Sequence, residues 1–240
     1  MADPWVLHLV TDRLESRWSV ERVIADAAAA GVDAIQVREK GQPADVVWQT
    51  AQAALRAVRG CDPEPMVLIN DRIDVAMAVG ASGVHLGGRS LGAALTRRLL
   101  PREMGWVIGV SVHSVEEARD AAAAGVDYVT FGQVVGYAGN TPGVDRLAAV
   151  VEAVSLPVLA IGGITPENVC TVLETGCAGI AVIRALSAVD SPRVEVLRFR
   201  EAMARSSIRP RRPLSAVGAS IRQNSRNSNN ICNSEMGDVE

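Results

Sequence analysis

The chain is poor in most of the features that mark a specialised binding surface. Aromatic residues make up only 3% of its 240 residues, so the core has to be built from Ala, Val, Leu and Ile, the bulk of a hydrophobic content of 48%. Neither sign of charge dominates: the net charge is −3 and the pI near 5.7, which argues against a general nucleic-acid or membrane-surface binder. The four cysteines, Cys61, Cys170, Cys177 and Cys232, form no CxxC pair and have no paired-histidine spacing, so neither a zinc site nor a disulfide framework is indicated. No apolar run approaches the roughly 18 residues of a membrane span, and the N-terminus enters a strand-like segment without a basic leader. The expectation is a cytoplasmic protein with a small-molecule ligand and no nucleic-acid or membrane partner. Self-association is left open.

Lysine is the most telling shortage. Of 24 basic residues only Lys40 is a lysine, and it ends the stretch AIQVREKG (34–41), where an apolar run built like a buried strand breaks into three charges.

What is present is a repeat. AAAAGVDAIQV (27–37) returns as AAAAGVDYVTF (121–131), with looser copies at VGASGVHL (79–86) and TGCAGIAV (175–182). Each reads as an Ala-rich helix end, a glycine at the C′ position, a short turn and a buried strand. Gly31, Gly80, Gly125 and Gly176 lie about two βα units apart, and one further apolar run falls in each gap. Eight runs result: 5–10, 34–37, 66–70, 83–86, 106–110, 128–131, 158–161 and 179–183. Continuous rather than alternating apolar runs mean strands buried on both faces, hence a parallel sheet. Ser114-Val-Glu-Glu117 reads as a capping box, and Thr165-Pro166 as a helix start. The predicted fold is α/β, a single (β/α)8 TIM barrel over residues 1–204. From about 205 the text turns rich in Ser, Asn, Arg and Pro without periodicity and reads as a disordered tail, 205–240.

In such a barrel the chemistry sits at the C-terminal strand ends. Arg38 and Lys40 after strand 2, Asn70 and Asp71 after strand 3, His85 in strand 4, and Ser111 and His113 after strand 5 all fall there. Gly162 and Gly163 after strand 7, with the amides near Ile183 and Arg184 after strand 8, are candidates for gripping a phosphate. Arg38 and Lys40 suit a second anionic group, and Asp71 is a candidate Mg2+ ligand.

QVREK (36–40), NDR (70–72), GVHLGGRS (83–90), GVSVHS (109–114), DYVTFG (127–132) and AIGGITPEN (160–168) together resemble the thiamine phosphate synthase/TenI family over roughly residues 5–188. Synthases of that family join a pyrimidine diphosphate to thiazole phosphate and expel pyrophosphate. The resemblance implies Gln36, Arg38 and Lys40 at the diphosphate, Asn70 by the pyrimidine, Asp71 on Mg2+, and the strand 7 and 8 loops around the thiazole phosphate. Three positions depart from the synthase pattern. Ser90 replaces a second metal carboxylate, the loop 131–143 carries no lysine, and Arg184 stands where a serine is usual. GGRS and GVSVHS resemble the TenI branch of thiazole tautomerases, which need a phosphate grip and an acid/base but no cofactor. The leading expectation is therefore a TenI-like thiazole phosphate tautomerase of thiamine biosynthesis. Its catalytic candidates are His113, Lys40 and Gln133, the last occupying the position of the branch's proton-transfer histidine. The alternatives are a thiamine phosphate synthase with an altered loop 6, and a catalytically silent thiazole-phosphate binder, which Ser90 and Gln133 favour.

Overall fold

A computed structural model of the chain describes residues 6–136 and 142–214. Eight parallel strands close into a barrel in sequence order: β1 (Val6–Val10), β2 (Ala34–Val37), β3 (Met66–Asn70), β4 (Gly83–Leu86), β5 (Val107–Val112), β6 (Tyr128–Phe131), β7 (Val158–Ile161) and β8 (Gly179–Val182). Closure is made by β1 on β8, with His8 level with Ala181. The strands are where the apolar runs put them, because each is covered on both faces and has no polar side to show water.

Helices wrap the outside: α1 (Val20–Ala30), α2 (Ala44–Val58), α3 (Ile73–Val79), α4 (Ala93–Leu99), α5 (Val115–Ala123), α6 (Pro142–Ala153), α7 (Val169–Leu173), α8 (Arg184–Ser187) and α9 (Pro192–Ala204). The four repeat glycines take the left-handed conformation, with φ of 95° at Gly31, 67° at Gly80, 78° at Gly125 and 76° at Gly176. That conformation turns each helix end inward to the next strand at no steric cost. Two helix starts differ in detail from the sequence reading. Ser114 caps α5 as expected, but Glu117 reaches the amide of His113 rather than that of Ser114. Helix α7 opens at Val169, because the Asn168 side chain first closes a turn on the Thr165 amide.

One core lies between strands and helices and a second fills the barrel's N-terminal end, where Val6, Leu68, Val107, Tyr128, Leu159 and Ala178 meet. Leu214, only 2% exposed, joins this second cluster, and the Arg211 amide bonds the Gly176 carbonyl at 3.0 Å. The packed chain thus continues past Ala204 to Leu214, because an apolar side chain there finds the open barrel end. The rest of the predicted tail lies outside the described residues. Cys61, Cys170 and Cys177 are free thiols. Among the described residues no helix is long and apolar enough to cross a membrane.

Candidate active site

The three charges after β2 divide by side-chain parity. Gln36 points into the barrel, Arg38 and Lys40 follow on the same side, and all three line one cavity at the C-terminal mouth. Glu39 turns the other way and its side chain is fully buried. It accepts from the Thr11 hydroxyl at 2.9 Å and from Arg13 Nε at 3.0 Å. Thr11 in turn accepts from the Arg38 amide at 2.9 Å, and the Arg38 guanidinium pairs with Asp12 at 2.5 Å. The strand ends in charges because one carboxylate ties loop 2 to loop 1 while its neighbours face the cavity.

From β3, Asn70 and Asp71 complete this side. Gln36 Nε2 donates to Asn70 Oδ1 and Asn70 Nδ2 donates to Asp71 Oδ2, each at 2.7 Å. Asp71 Oδ1 accepts from the Gly87 amide at 3.1 Å and from the Ser90 hydroxyl. Among the described residues Asp71 is the only non-glycine with positive φ, 62°. A non-glycine held there is strained, a feature that concentrates at functional sites. Ser90, at the position where a second carboxylate was missed in the sequence, therefore braces the first one.

The cavity measures about 420 Å³ and is lined also by Val10, His85, Gly87, Gly88, Arg89, Ser111, Thr130, Ile161 and Ile183. A smaller recess of about 230 Å³ shares Lys40, Asn70, Asp71 and Arg89 with it. Neither Lys40 nor Arg89 forms an ion pair with a described residue, so two uncompensated cations face the same space. His85 is buried, and burial with the nearby Arg38 cation lowers its pKa to about 3. It is neutral at pH 7 and a feeble base.

Eight of the predicted residues meet here: Gln36, Arg38, Lys40, Asn70, Asp71, His85, Ser111 and Ile183. The others do not line the cavity. His113 is exposed, with its imidazole toward Glu117. Arg184 reaches back to Glu15 at 3.3 Å. Gln133 is exposed and lies against Gly162. Gly162 and Gly163, with φ of 106° and 67°, receive loop 6 by close approach, a Cβ on Gly163 standing 2.3 Å from the Val135 carbonyl oxygen. Thr130 and Arg89 are site residues that sequence reasoning passed over. Thr130 was signalled by its inward parity with Tyr128 two residues earlier; Arg89 stands within GGRS (87–90), a stretch that carries the resemblance but gives this arginine no role of its own.

The donor set fits Mg2+ in one way, through the single carboxylate of Asp71, with no cluster of three or more His, Cys, Asp or Glu side chains among the described residues. Mg2+ commonly uses one or two carboxylates and takes its remaining ligands from substrate phosphates and water.

Comparison with known proteins agrees with this geometry. A family model described as thiamine monophosphate synthase matches residues 7–186. The chain is 37% identical over 197 residues to a thiamine-phosphate synthase of Haloarcula marismortui, covering 78% of this chain and 92% of that protein. It is 41% identical over 186 residues to one from Methanoculleus marisnigri, covering 75% and 86%. Among solved structures, a thiamine phosphate pyrophosphorylase from Pyrococcus furiosus superposes with a TM-score of 0.76 at 34% identity, covering 84% of this chain and 96% of that one. With the matched residues spanning β1 to α8 and every strand end of the cavity, the chain belongs to the thiamine monophosphate synthase/TenI family.

Proposed function

We propose that the protein is a thiamine phosphate synthase, joining hydroxymethylpyrimidine diphosphate to thiazole phosphate with release of pyrophosphate. The carrying observation is the convergence of Arg38, Lys40 and Arg89 with Asp71 on one cavity. A departing diphosphate gathers negative charge, and fixed cations aimed at it stabilise that charge most in a site from which water is displaced. Asp71 would hold Mg2+, whose chemistry is to neutralise phosphate oxygens. Asp12 orients Arg38, Glu39 anchors the loop that carries Lys40, and the Gln36–Asn70 pair offers amide groups to a heterocycle. Gly162 and Gly163 lie outside the lining but directly follow Ile161, which is in it, and their N–H groups have no backbone partner among the described residues, which supports them as donors to the thiazole phosphate at the edge of the cavity.

The tautomerase reading is less well supported. It needs a proton acceptor working near neutral pH. His85, the one histidine of the cavity, has its pKa pulled far below that range, and His113 and Gln133 are not in the lining. The names of the relatives also favour the synthase.

The test is formation of thiamine phosphate by the purified full-length chain from both substrates with Mg2+, followed by chromatography. Turnover that depends on both substrates is expected. Tautomerisation of the thiazole carboxylate phosphate without any coupling would overturn the reading, and binding of thiazole phosphate with neither reaction would establish the silent binder.

A further inference from the structure

Beneath the cavity floor lies a chain of hydrogen bonds that the rim cations do not explain. Tyr128 is fully buried and crosses the barrel interior from β6 to reach β4. Its path lies over Gly109 of β5, where a Cβ would come within 2.1 Å of the ring. The phenol oxygen is 2.9 Å from His85 Nδ1, and His85 Nε2 is 2.9 Å from Ser111 Oγ. Thr130 Oγ1 lies 3.3 Å from the same Ser111 oxygen. Ser111 and Thr130 line the cavity; Tyr128 does not.

Hydrogen accounting gives this chain a direction. The phenol has one hydrogen to donate, and His85 Nδ1 is its partner among the described residues. A buried donor left unpaired is costly, so Tyr128 donates and Nδ1 accepts. The single hydrogen of a neutral imidazole then sits on Nε2, which donates to Ser111 Oγ. Thr130 cannot donate to a protonated Nε2, so its hydroxyl also turns to Ser111. With both lone pairs of Ser111 occupied, its own hydrogen is directed at the side left open, the cavity. The opposite tautomer strands the Tyr128 hydrogen and makes Ser111 an acceptor toward the ligand.

We propose that Tyr128 is a positioning residue which, through the Nε2–H tautomer of His85, fixes Ser111 as a hydrogen-bond donor to an acceptor atom of the bound substrate. The identity of that substrate rests on the synthase reading. The tautomer is a property of the free protein and does not.

The first experiment is therefore long-range 1H–15N correlation on ring-15N-histidine protein at pH 7. With only three histidines in the chain, His8→Gln and His113→Gln variants assign the signals. The expected result is a protonated Nε2 and an unprotonated, hydrogen-bonded Nδ1 for His85. An Nδ1–H tautomer or an imidazolium would overturn the proposal even if the synthase is active. The second experiment is a double-mutant cycle on synthase turnover. Tyr128→Phe and Ser111→Ala should each lower kcat/KM about tenfold, the scale of one neutral hydrogen bond. The double variant should be no worse than Ser111→Ala alone, and the substrate whose KM rises identifies the acceptor. Losses that multiply to about a hundredfold would show that Tyr128 does not act through Ser111.

Discussion

The two halves of the barrel mouth are built on different principles. After β1 to β4 the site is made of long polar side chains, some held by a second one, as Arg38 is by Asp12, Asn70 by Gln36, and Asp71 by Asn70 and Ser90, while Lys40 and Arg89 have no ion-pair partner among the described residues. After β6 to β8 it is made of backbone and short side chains, with Thr130, Ile161 and Ile183 in the lining and two left-handed glycines behind them. A flexible cation adjusts to a leaving group whose charge moves as it departs. A backbone cradle suits a phosphate that stays in place throughout. The asymmetry thus agrees with the proposed substrate pair, in which a diphosphate leaves one partner and the phosphate of the other is only held.

The largest effects should fall on the first half. Lys40→Ala is expected to cut kcat/KM of coupling about 10²–10³-fold, the usual consequence of losing one group aimed at developing charge. The same truncation at Arg184 should change it less than about threefold, since that guanidinium is exposed and paired with Glu15. Steady-state kinetics on both variants checks the contrast, and equal losses would dissolve the division of the mouth. Asp71→Asn should come next. It is expected to abolish most of the stimulation by Mg2+ while leaving the Kd for thiazole phosphate within about twofold, as calorimetry would show; a parallel loss of thiazole phosphate affinity would mean that the halves share one anion site.

On the second half the expected damage is to stability. Gly163→Ala puts a Cβ 2.3 Å from the Val135 carbonyl oxygen at a φ of 67°. Left-handed strain alone costs about 1–2 kcal/mol, and relief of the contact must displace loop 6. A fall in Tm of about 4–8 °C is expected for a chain of this size if the total reaches about 2 kcal/mol. An unchanged melting curve would show that loop 6 does not rest on this glycine.

The same division governs what could be read from the sequence. Barrel closure was legible because the C′ glycines and two-sided apolar runs recur in phase, and tertiary structure had only to stack them. The β2–β3 side of the site was legible because inward parity continues smoothly through Gln36, Arg38 and Lys40. His113 shows where that logic ends. It keeps the parity of Gly109 and Ser111, but β5 stops at Val112 and the Ser114 cap swings the chain outward, so the imidazole meets Glu117. The Arg184 side chain stays out of the cavity for a similar reason, since it opens a helix and its length lets it reach Glu15 outside the mouth. The role of Ser90 was hidden for another reason: a serine in a carboxylate's usual position reads as a loss, and only coordinates reveal that it donates to the carboxylate that remains.

Below the side-chain-rich half, β1 carries a second buried histidine. His8 has no exposed surface, and neither ring nitrogen has a hydrogen-bond partner among the described residues. Burial, with His85 nearby, lowers its pKa to about 3. Unfolding restores a value near 6.5, so between about pH 6.5 and 3 the unfolded chain binds a proton that the folded one refuses. Stability contributed by a neutral His8 is therefore full above about pH 6.5 and is lost as the pH falls, by about 1.4 kcal/mol at pH 5.5. His85 follows the same direction with its own proton. His8→Leu removes one of the two terms and also two unsatisfied nitrogens. Urea unfolding at pH 7 and 5.5 should show an acid penalty smaller by about 1.4 kcal/mol in the variant than in the parent. An identical penalty would mean that His8 takes up its proton while folded, which would require water inside the barrel between β1 and β4.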